Sequence, residues 1–161
     1  MDNLPDNNVL VKLDFVNAFN SIRRNVILQS TTVQNMPELY KLVLASHSCE
    51  EKLIFGEHSV LSREGSQQGD PLSAVEFCGA IHLTIQKCEA RTKLEYMDDV
   101  KFEGQVQVVA SVVQAIIDAY SETGLRLNPS KCETVCSNFD ILNEYPVIKE
   151  FKRVKKDDLL S

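Results

Sequence analysis

The sequence predicts an α+β fold in which helices pack on one face of a small antiparallel sheet. Short segments with hydrophobic residues at every second position alternate with longer segments that have hydrophobic residues at helical spacing. The predicted order is strand, helices, hairpin, helix, hairpin, helix, hairpin. This order is typical of helices packed against an antiparallel sheet.

Size and composition are those of one globular domain. The chain has 161 residues, of which 43% are hydrophobic and 25% are charged, and its formal net charge is −6. Binding to a nucleic-acid backbone requires a basic surface, so overall charge does not hold this chain on DNA or RNA. Any such contact must be local or bridged by metal cations.

The first predicted strand begins at Val9 and ends at Phe15, and Val11 and Leu13 share the face of these two residues. Side chains alternate in direction along a strand, so Asp14 lies on the other face. Asp14 is therefore predicted near the C-terminal end of the strand and away from its apolar side.

The rest of the chain alternates between helical and strand-like segments. Pro37 suits the first turn of a helix over residues 36–47, and Gly56 favours the tight turn of a hairpin. The further predicted elements are the hairpin strands at 52–55 and 59–61, a helix over 71–85, two strands within 94–102 that turn at Met97–Asp98, a helix over 105–120, and a hairpin formed by 125–128 and 132–136.

We expect residues 1–147 to form one domain and residues 148–161 to form a charged C-terminal tail, because this tail holds five Lys or Arg and three acidic residues. An arm that contacts nucleic-acid phosphates is the alternative for the tail. Residues 1–8 lack the features of a signal peptide, no segment is apolar enough for a membrane span, and the cysteines show no disulfide framework. We expect an intracellular protein, nuclear or cytoplasmic, that is not secreted and has no membrane partner.

Three aspartates occupy the end of a predicted strand or a predicted turn. Asp14 ends the first strand, and Asp98 and Asp99 lie in a turn between two others. Carboxylates that converge repel one another and require protonation or cations, and Mg²⁺ prefers oxygen ligands. Two such ions about 3.5–4 Å apart can hold the attacking and leaving oxygens of a phosphoryl transfer. The alternative is that each aspartate only accepts bonds from local backbone amides.

Four motif-like segments follow one another along the chain. They are residues 12–22 (KLDFVNAFNSI), 64–73 (EGSQQGDPLS), 96–99 (YMDD) and 124–133 (GLRLNPSKCE). In this order and on these elements, they resemble the motifs of a reverse transcriptase palm, most closely of the non-LTR retrotransposon type. The resemblance covers roughly residues 9 to 136.

The resemblance implies a polymerase palm-like fold with incomplete fingers and no thumb. It implies an RNA-directed DNA polymerase that transfers a nucleotide from a dNTP to a primer 3′-hydroxyl with two Mg²⁺ ions, for which Mn²⁺ is the alternative. The implied partners are an RNA or DNA template with its primer, the dNTP, and separate polymerase segments. The alternative is an inactive retroelement remnant that acts as a binding or self-associating module.

The resemblance also assigns catalytic roles to residues. Asp14, Asp98 and Asp99 match the metal ligands of the family. Lys131 matches a residue near the leaving phosphate that could donate a proton, and an ordinary surface lysine is the alternative interpretation.

Four further residues match positions that contact the nucleotide. Phe15 would provide backbone near the triphosphate. Phe19 would exclude a 2′-hydroxyl and so favour deoxynucleotides, with packing in the core as the alternative. Gln68 and Gly69 would line the nucleotide pocket. Asp70 and the proline after it also predict a helix start, with Asp as the cap.

Overall fold

A computed structural model of the protein describes residues 4–30, 35–48, 51–67, 69–86, 92–96 and 99–155. The chain forms two compact units. The first unit comprises Met1–Val16 and Lys87–Ser161, and the second comprises Asn17–Gln86. The fold class is α+β, as predicted.

The described elements follow the predicted alternation. In chain order they are β1 (Asn8–Leu13), α1 (Ala18–Ser21), α2 (Arg24–Gln29), α3 (Pro37–His47), β2 (Glu51–Phe55), β3 (His58–Ser62), α4 (Pro71–Gln86), β4 (Thr92–Tyr96), β5 (Asp99–Gln105), α5 (Val106–Ser121), β6 (Glu133–Cys136), a 3₁₀ helix (Phe139–Glu144), α6 (Pro146–Lys149) and β7 (Lys152–Arg153). No helix among them combines the length and apolar character that crossing a membrane requires.

The first unit is built on a five-stranded sheet in the order β4-β5-β1-β6-β7. Neighbouring strands are antiparallel except β6 and β7, which run parallel, so the sheet is mixed rather than purely antiparallel. Strand β1 lies at the centre. It pairs with β5 from Asn8↔Gln105 to Leu13↔Val100.

The core of the first unit lies between this sheet and α5, which contacts β1 and β5. Val9, Val11 and Leu13 are fully buried, which confirms the apolar face predicted for the first strand. The buried stripe of α5 recurs every three or four residues, as expected for a helix that packs by one face. It contains Val106, Val109, Val113, Ile116 and Tyr120.

One predicted hairpin is wrong. Residues 125–128 do not pair with β6; instead Leu127 forms a bridge with Phe15, while β6 pairs with β1. Residues 125–128 and β6 therefore both run antiparallel to the segment that contains β1 and Phe15. The prediction failed because the central strand offers both segments a long-range partner, which a local turn signal does not reveal.

The segment after residue 147 is ordered over its described part. Ile148 and Phe151 are buried, and Lys152–Arg153 pairs with β6. These residues lie inside the first unit. The division of the chain at residue 147 stays a prediction.

The second unit contains α1 to α4 and a separate hairpin. The hairpin confirms the predicted one: β2 and β3 are joined by a two-residue turn that begins at Gly56, with φ 59°. Turns of this length favour glycine because its φ is positive. The buried side chains include Ile27 of α2, Val43 of α3, and Phe77 and Ile81 of α4.

Candidate functional site

Asp14 and Asp99 lie at the ends of neighbouring strands. The β1–β5 ladder ends at Leu13↔Val100, so the next step of the same register sets Asp14 opposite Asp99. Opposite residues of an antiparallel pair have Cα atoms about 4.5–5.5 Å apart and side chains on one face. The register thus favours proximity of Asp14 and Asp99, and their role as ligands stays a prediction; the third predicted ligand, Asp98, lies outside the described residues.

The carboxylate of Asp99 already has a cationic neighbour. Lys12 Nζ lies 3.1 Å from Asp99 Oδ1, and the two side chains are 28% and 47% exposed. An ion pair with this exposure contributes about 0–1 kcal/mol. Its small contribution means that a stronger cation could displace the ammonium group.

The carboxylate of Asp14 is different, because one of its oxygens is buried without a partner. Oδ1 is buried and accepts no hydrogen bond from any described residue. Burying such an oxygen without a hydrogen bond or a cation is costly. Because Asp14 directly follows Leu13, this oxygen belongs to the residue just beyond the end of the β1–β5 ladder, and Asp99 directly precedes Val100 at the same end.

The turn of residues 128–132 holds the backbone of Asp14. The Asp14 carbonyl accepts a hydrogen bond of 2.8 Å from the Asn128 N–H, and the Asp14 N–H donates to Cys132 Sγ at 3.4 Å. Burial raises the pKa of the Cys132 thiol from 9.0 to about 11, against a lowering by its backbone hydrogen bond with Asp14. Lys131 is exposed on the same turn.

Phe15 has a buried side chain and a partly engaged backbone. Its ring packs on Tyr120, with ring centroids 5.4 Å apart. The bridge to Leu127 uses the carbonyl of Asp14 and the N–H of Val16. The main-chain groups of Phe15 therefore face the other edge of the strand, since successive residues direct them to alternate sides.

In the second unit, the first two motif segments are bonded to each other. Gly65 N–H donates to the carbonyl of Ile22, and Ser66 N–H donates to the carbonyl of Phe19, each at 2.9 Å. The half-buried Phe19 ring stacks on Phe77, with centroids 4.7 Å apart. Phe19 thus has a fixed packing partner.

The start of α4 confirms the predicted cap. Asp70 Oδ1 accepts a hydrogen bond of 2.8 Å from the Leu72 N–H, and the helix begins at Pro71. Gly69, just before the cap, is exposed with φ 97°, a conformation that favours glycine. Gln68 lies outside the described residues.

Comparison with known families identifies the chain. The family model described as "Reverse transcriptase (RNA-dependent DNA polymerase)" matches residues 1–152. The chain belongs to the reverse transcriptase family. No curated protein matches it. Reverse transcriptases are RNA-directed DNA polymerases that generally use divalent metal ions and act on a template, a primer and dNTPs.

The residues of the first unit fit the divalent ions that reverse transcriptases use. Carboxylate oxygens are the ligands that Mg²⁺ prefers, and the buried Oδ1 of Asp14 lacks any other partner among the described residues. Within these residues, no group of three or more His, Cys, Asp or Glu side chains could hold a metal ion. The predicted set of three includes Asp98, which lies outside the described residues.

Some polar contacts of this reverse transcriptase chain are not predicted by the sequence. His47 Nε2 lies 3.1 Å from Glu76 Oε1, and both side chains are largely buried beside a polar cavity of about 50 Å³. Arg24 donates to the carbonyls of Gly65 and Ser62 and to the Ser62 hydroxyl. Helical periodicity places His47 and Glu76 on helices, but no local pattern predicts contacts across 29 to 41 positions.

Proposed function

We propose that this reverse transcriptase chain is a polymerase palm of the non-LTR retrotransposon type. In this proposal Asp14, Asp98 and Asp99 hold two Mg²⁺ ions, or Mn²⁺ in their place. The observation that carries the proposal is the end of the β1–β5 ladder. Continued by one residue, its register would set Asp14 opposite Asp99, and Asp14 has a buried oxygen without a partner among the described residues.

The reaction is nucleotidyl transfer from a dNTP to a primer 3′-hydroxyl. When bound, the ions activate that hydroxyl and neutralise the charge of the departing pyrophosphate. The protein's part is to orient the carboxylates. Asp14 is fixed by hydrogen bonds to its backbone, and Asp99 pairs with the Lys12 ammonium group, which a bound divalent cation would have to displace.

Lys131 is proposed as the proton donor to the leaving pyrophosphate. It is exposed on the turn that bonds the Asp14 backbone, and an ammonium group can give a proton to a developing phosphate oxygen. Phe15 is proposed to offer main-chain groups to the triphosphate. The support is that its bridge to Leu127 engages those of Asp14 and Val16 instead.

In the second unit, Phe19, Gln68 and Gly69 are proposed to contact the nucleotide. The Phe19 ring is braced against Phe77, so it could exclude a 2′-hydroxyl without swinging aside. Gly69 has no side chain and is exposed, which would let its backbone approach a substrate closely.

Template, primer and dNTP are the proposed partners. On this proposal the chain is a polymerase that acts inside the cell. Residues 1–147 would then be the palm-like domain, and residues 148–161 its charged C-terminal segment.

Primer extension tests the function. Wild-type protein is given a primed RNA template, Mg²⁺ and dNTPs, alongside Asp98→Asn, Asp14→Asn and the control Asp118→Asn. Asp118 is exposed on α5 and its amide form keeps an acceptor for Gln114. We expect extension with the wild type and the control but not with the other two variants. Equal extension by Asp98→Asn would remove that residue from the mechanism.

Metal binding is the second measurement, since it does not depend on a bound template, primer or dNTP. Mn²⁺ titration followed by electron paramagnetic resonance should show weaker binding for Asp14→Asn and Asp98→Asn than for Asp118→Asn. Identical binding curves for all four proteins would refute the metal site.

The second candidate function is a self-associating module without catalysis. The β2–β3 hairpin favours it, because Ile54, Phe55 and Val60 are 76%, 67% and 58% exposed. Two-stranded hairpins have two open edges, and exposed apolar patches mark interaction surfaces. Light scattering should show dimers that Phe55→Ser weakens; a monomer at all concentrations would reject this candidate.

A further inference from the structure

The pairing of β1 with its β6-side neighbour is interrupted at Asp14. The regular ladder reaches Lys12↔Glu133, and the next pair along β1 is Phe15↔Leu127. Between these two pairs, residues 13 and 14 at the end of β1 therefore stand opposite five residues, 128–132, of the segment that leads into β6. Such a bulge leaves strand backbone groups without their usual ladder partners, and bulges often lie beside active sites.

A cysteine side chain takes the place of the missing ladder partner. The Asp14 N–H donates to Cys132 Sγ at 3.4 Å, and the thiol lies 3.7 Å from the Asp14 carbonyl, to which it can donate. A protonated thiol can accept and donate at the same time. Cys132 is completely buried, so water does not offer the Asp14 N–H an alternative partner.

Cys132 is itself held firmly on both sides. Its N–H donates to the Asn128 carbonyl at 3.1 Å, and its carbonyl accepts from the Lys152 N–H at 2.9 Å. The backbone from which the thiol extends is therefore fixed by the turn on one side and by β7 on the other. A side chain with so little freedom can fix the peptide that it bonds.

We propose that Cys132 is a positioning residue for the Asp14 carboxylate. Its thiol closes the bulge around the Asp14 peptide and so fixes the direction in which that carboxylate leaves the strand. This inference rests on the proposed function in one respect, namely that the fixed carboxylate presents an oxygen to a divalent ion. The hydrogen-bonding role of the thiol does not depend on catalysis.

Side-chain replacements separate the hydrogen bonds from the packing. Cys132→Ser keeps a group that donates and accepts, whereas Cys132→Val and Cys132→Ala remove it. Cys136→Val is the matched control, because Cys136 is also a buried thiol and lies four residues further along the same segment. Circular dichroism establishes which variants fold, and Cys132→Ala replaces Cys132→Val if the larger side chain prevents folding.

Mn²⁺ affinity is the first readout. Outer-shell partners of metal ligands typically change metal affinity 10–100-fold when they are removed. We expect at least a 10-fold loss for Cys132→Val, recovery to within about 3-fold of wild type for Cys132→Ser, and no change for Cys136→Val. Equal affinity in Cys132→Val and wild type overturns the positioning role.

Hydrogen exchange of the Asp14 amide, followed by NMR, is the second readout. Cys132→Val should accelerate exchange at this amide while Cys132→Ser and Cys136→Val leave it slow; unchanged exchange in Cys132→Val refutes the hydrogen bond. Asp14→Asn distinguishes the two proposals. If Asp14→Asn leaves Mn²⁺ affinity intact, the proposed metal site fails, whereas the exchange result still decides whether the thiol fixes the peptide.

Discussion

Replacement of Gly65 by alanine should separate the two motif segments of the second unit. Gly65 has φ 74°, and its N–H bonds the carbonyl of Ile22. A Cβ atom added at this position would lie 2.5 Å from the backbone oxygen of Asn20 and 2.6 Å from its carbonyl carbon. The obstacle is backbone rather than the end of a flexible side chain, so the chain itself must move.

Two costs add in Gly65→Ala. A residue other than glycine in the left-handed region costs roughly 1–2 kcal/mol. Forcing extra atoms into a filled space typically costs about 1–3 kcal/mol more. The free energy of unfolding should therefore fall by about 2–5 kcal/mol, a large part of the roughly 5–15 kcal/mol of an ordinary domain.

Gly56→Ala is the matched control. Gly56 also has a positive φ, 59°, but nothing lies within 4 Å of its added Cβ. The free energy of unfolding of Gly56→Ala should fall only by the conformational cost, about 1–2 kcal/mol. Urea unfolding followed by circular dichroism measures both losses. If the two variants lose the same free energy of unfolding, the close approach of Gly65 to Asn20 does not contribute to the loss, and the prediction is refuted.

Three further predictions follow from the same contacts. Phe19→Ala should reduce the preference for dNTPs over rNTPs by 10-fold or more in primer extension, since a single side-chain contact is worth about 1–3 kcal/mol of discrimination; an unchanged ratio rejects the steric role. His47→Ala should destabilise the protein by about 1–3 kcal/mol in urea unfolding, because Glu76 would stay buried without its partner, and a loss no greater than that of Glu76→Gln would contradict this. The raised pKa of Cys132 means that the folded state holds the thiol proton more tightly, so the stability from this group is complete below pH 9 and is lost as pH rises to about 11. Wild type should therefore lose up to about 3 kcal/mol more than Cys132→Ala over that interval, and parallel pH profiles would refute the shift.

The elements that the sequence predicts well are those whose pattern is set by one buried face. The apolar face of Val9, Val11 and Leu13 and the helical stripe of α5 are both buried, because each packs against the same core. Asp70 and Pro71 are equally predictive, since capping depends only on neighbouring residues.

Long-range pairing is what local patterns cannot predict. Residues 125–128 are followed by a predicted turn, so local sequence alone predicts that they form a hairpin with residues 132–136. The structure pairs Leu127 with Phe15 instead, since the edge of the central strand line supplies a partner more than a hundred positions away in sequence. The contact of His47 with Glu76 has the same origin, because its helices meet only through tertiary packing.

The register of β1 explains how distant carboxylates can be aligned without any contact between them. Val11↔Phe102 and Leu13↔Val100 are opposite pairs, and all four side chains are buried. A slip of one residue would remove Val11 and Leu13 from this core and turn the face of Lys12 and Asp14 into it. The core therefore forbids the slip, and by doing so fixes which residue of β5 stands across from Asp14. Hydrophobic packing of the last pairs of the ladder thus specifies which residue would follow opposite Asp14, although no apolar side chain needs to touch either carboxylate.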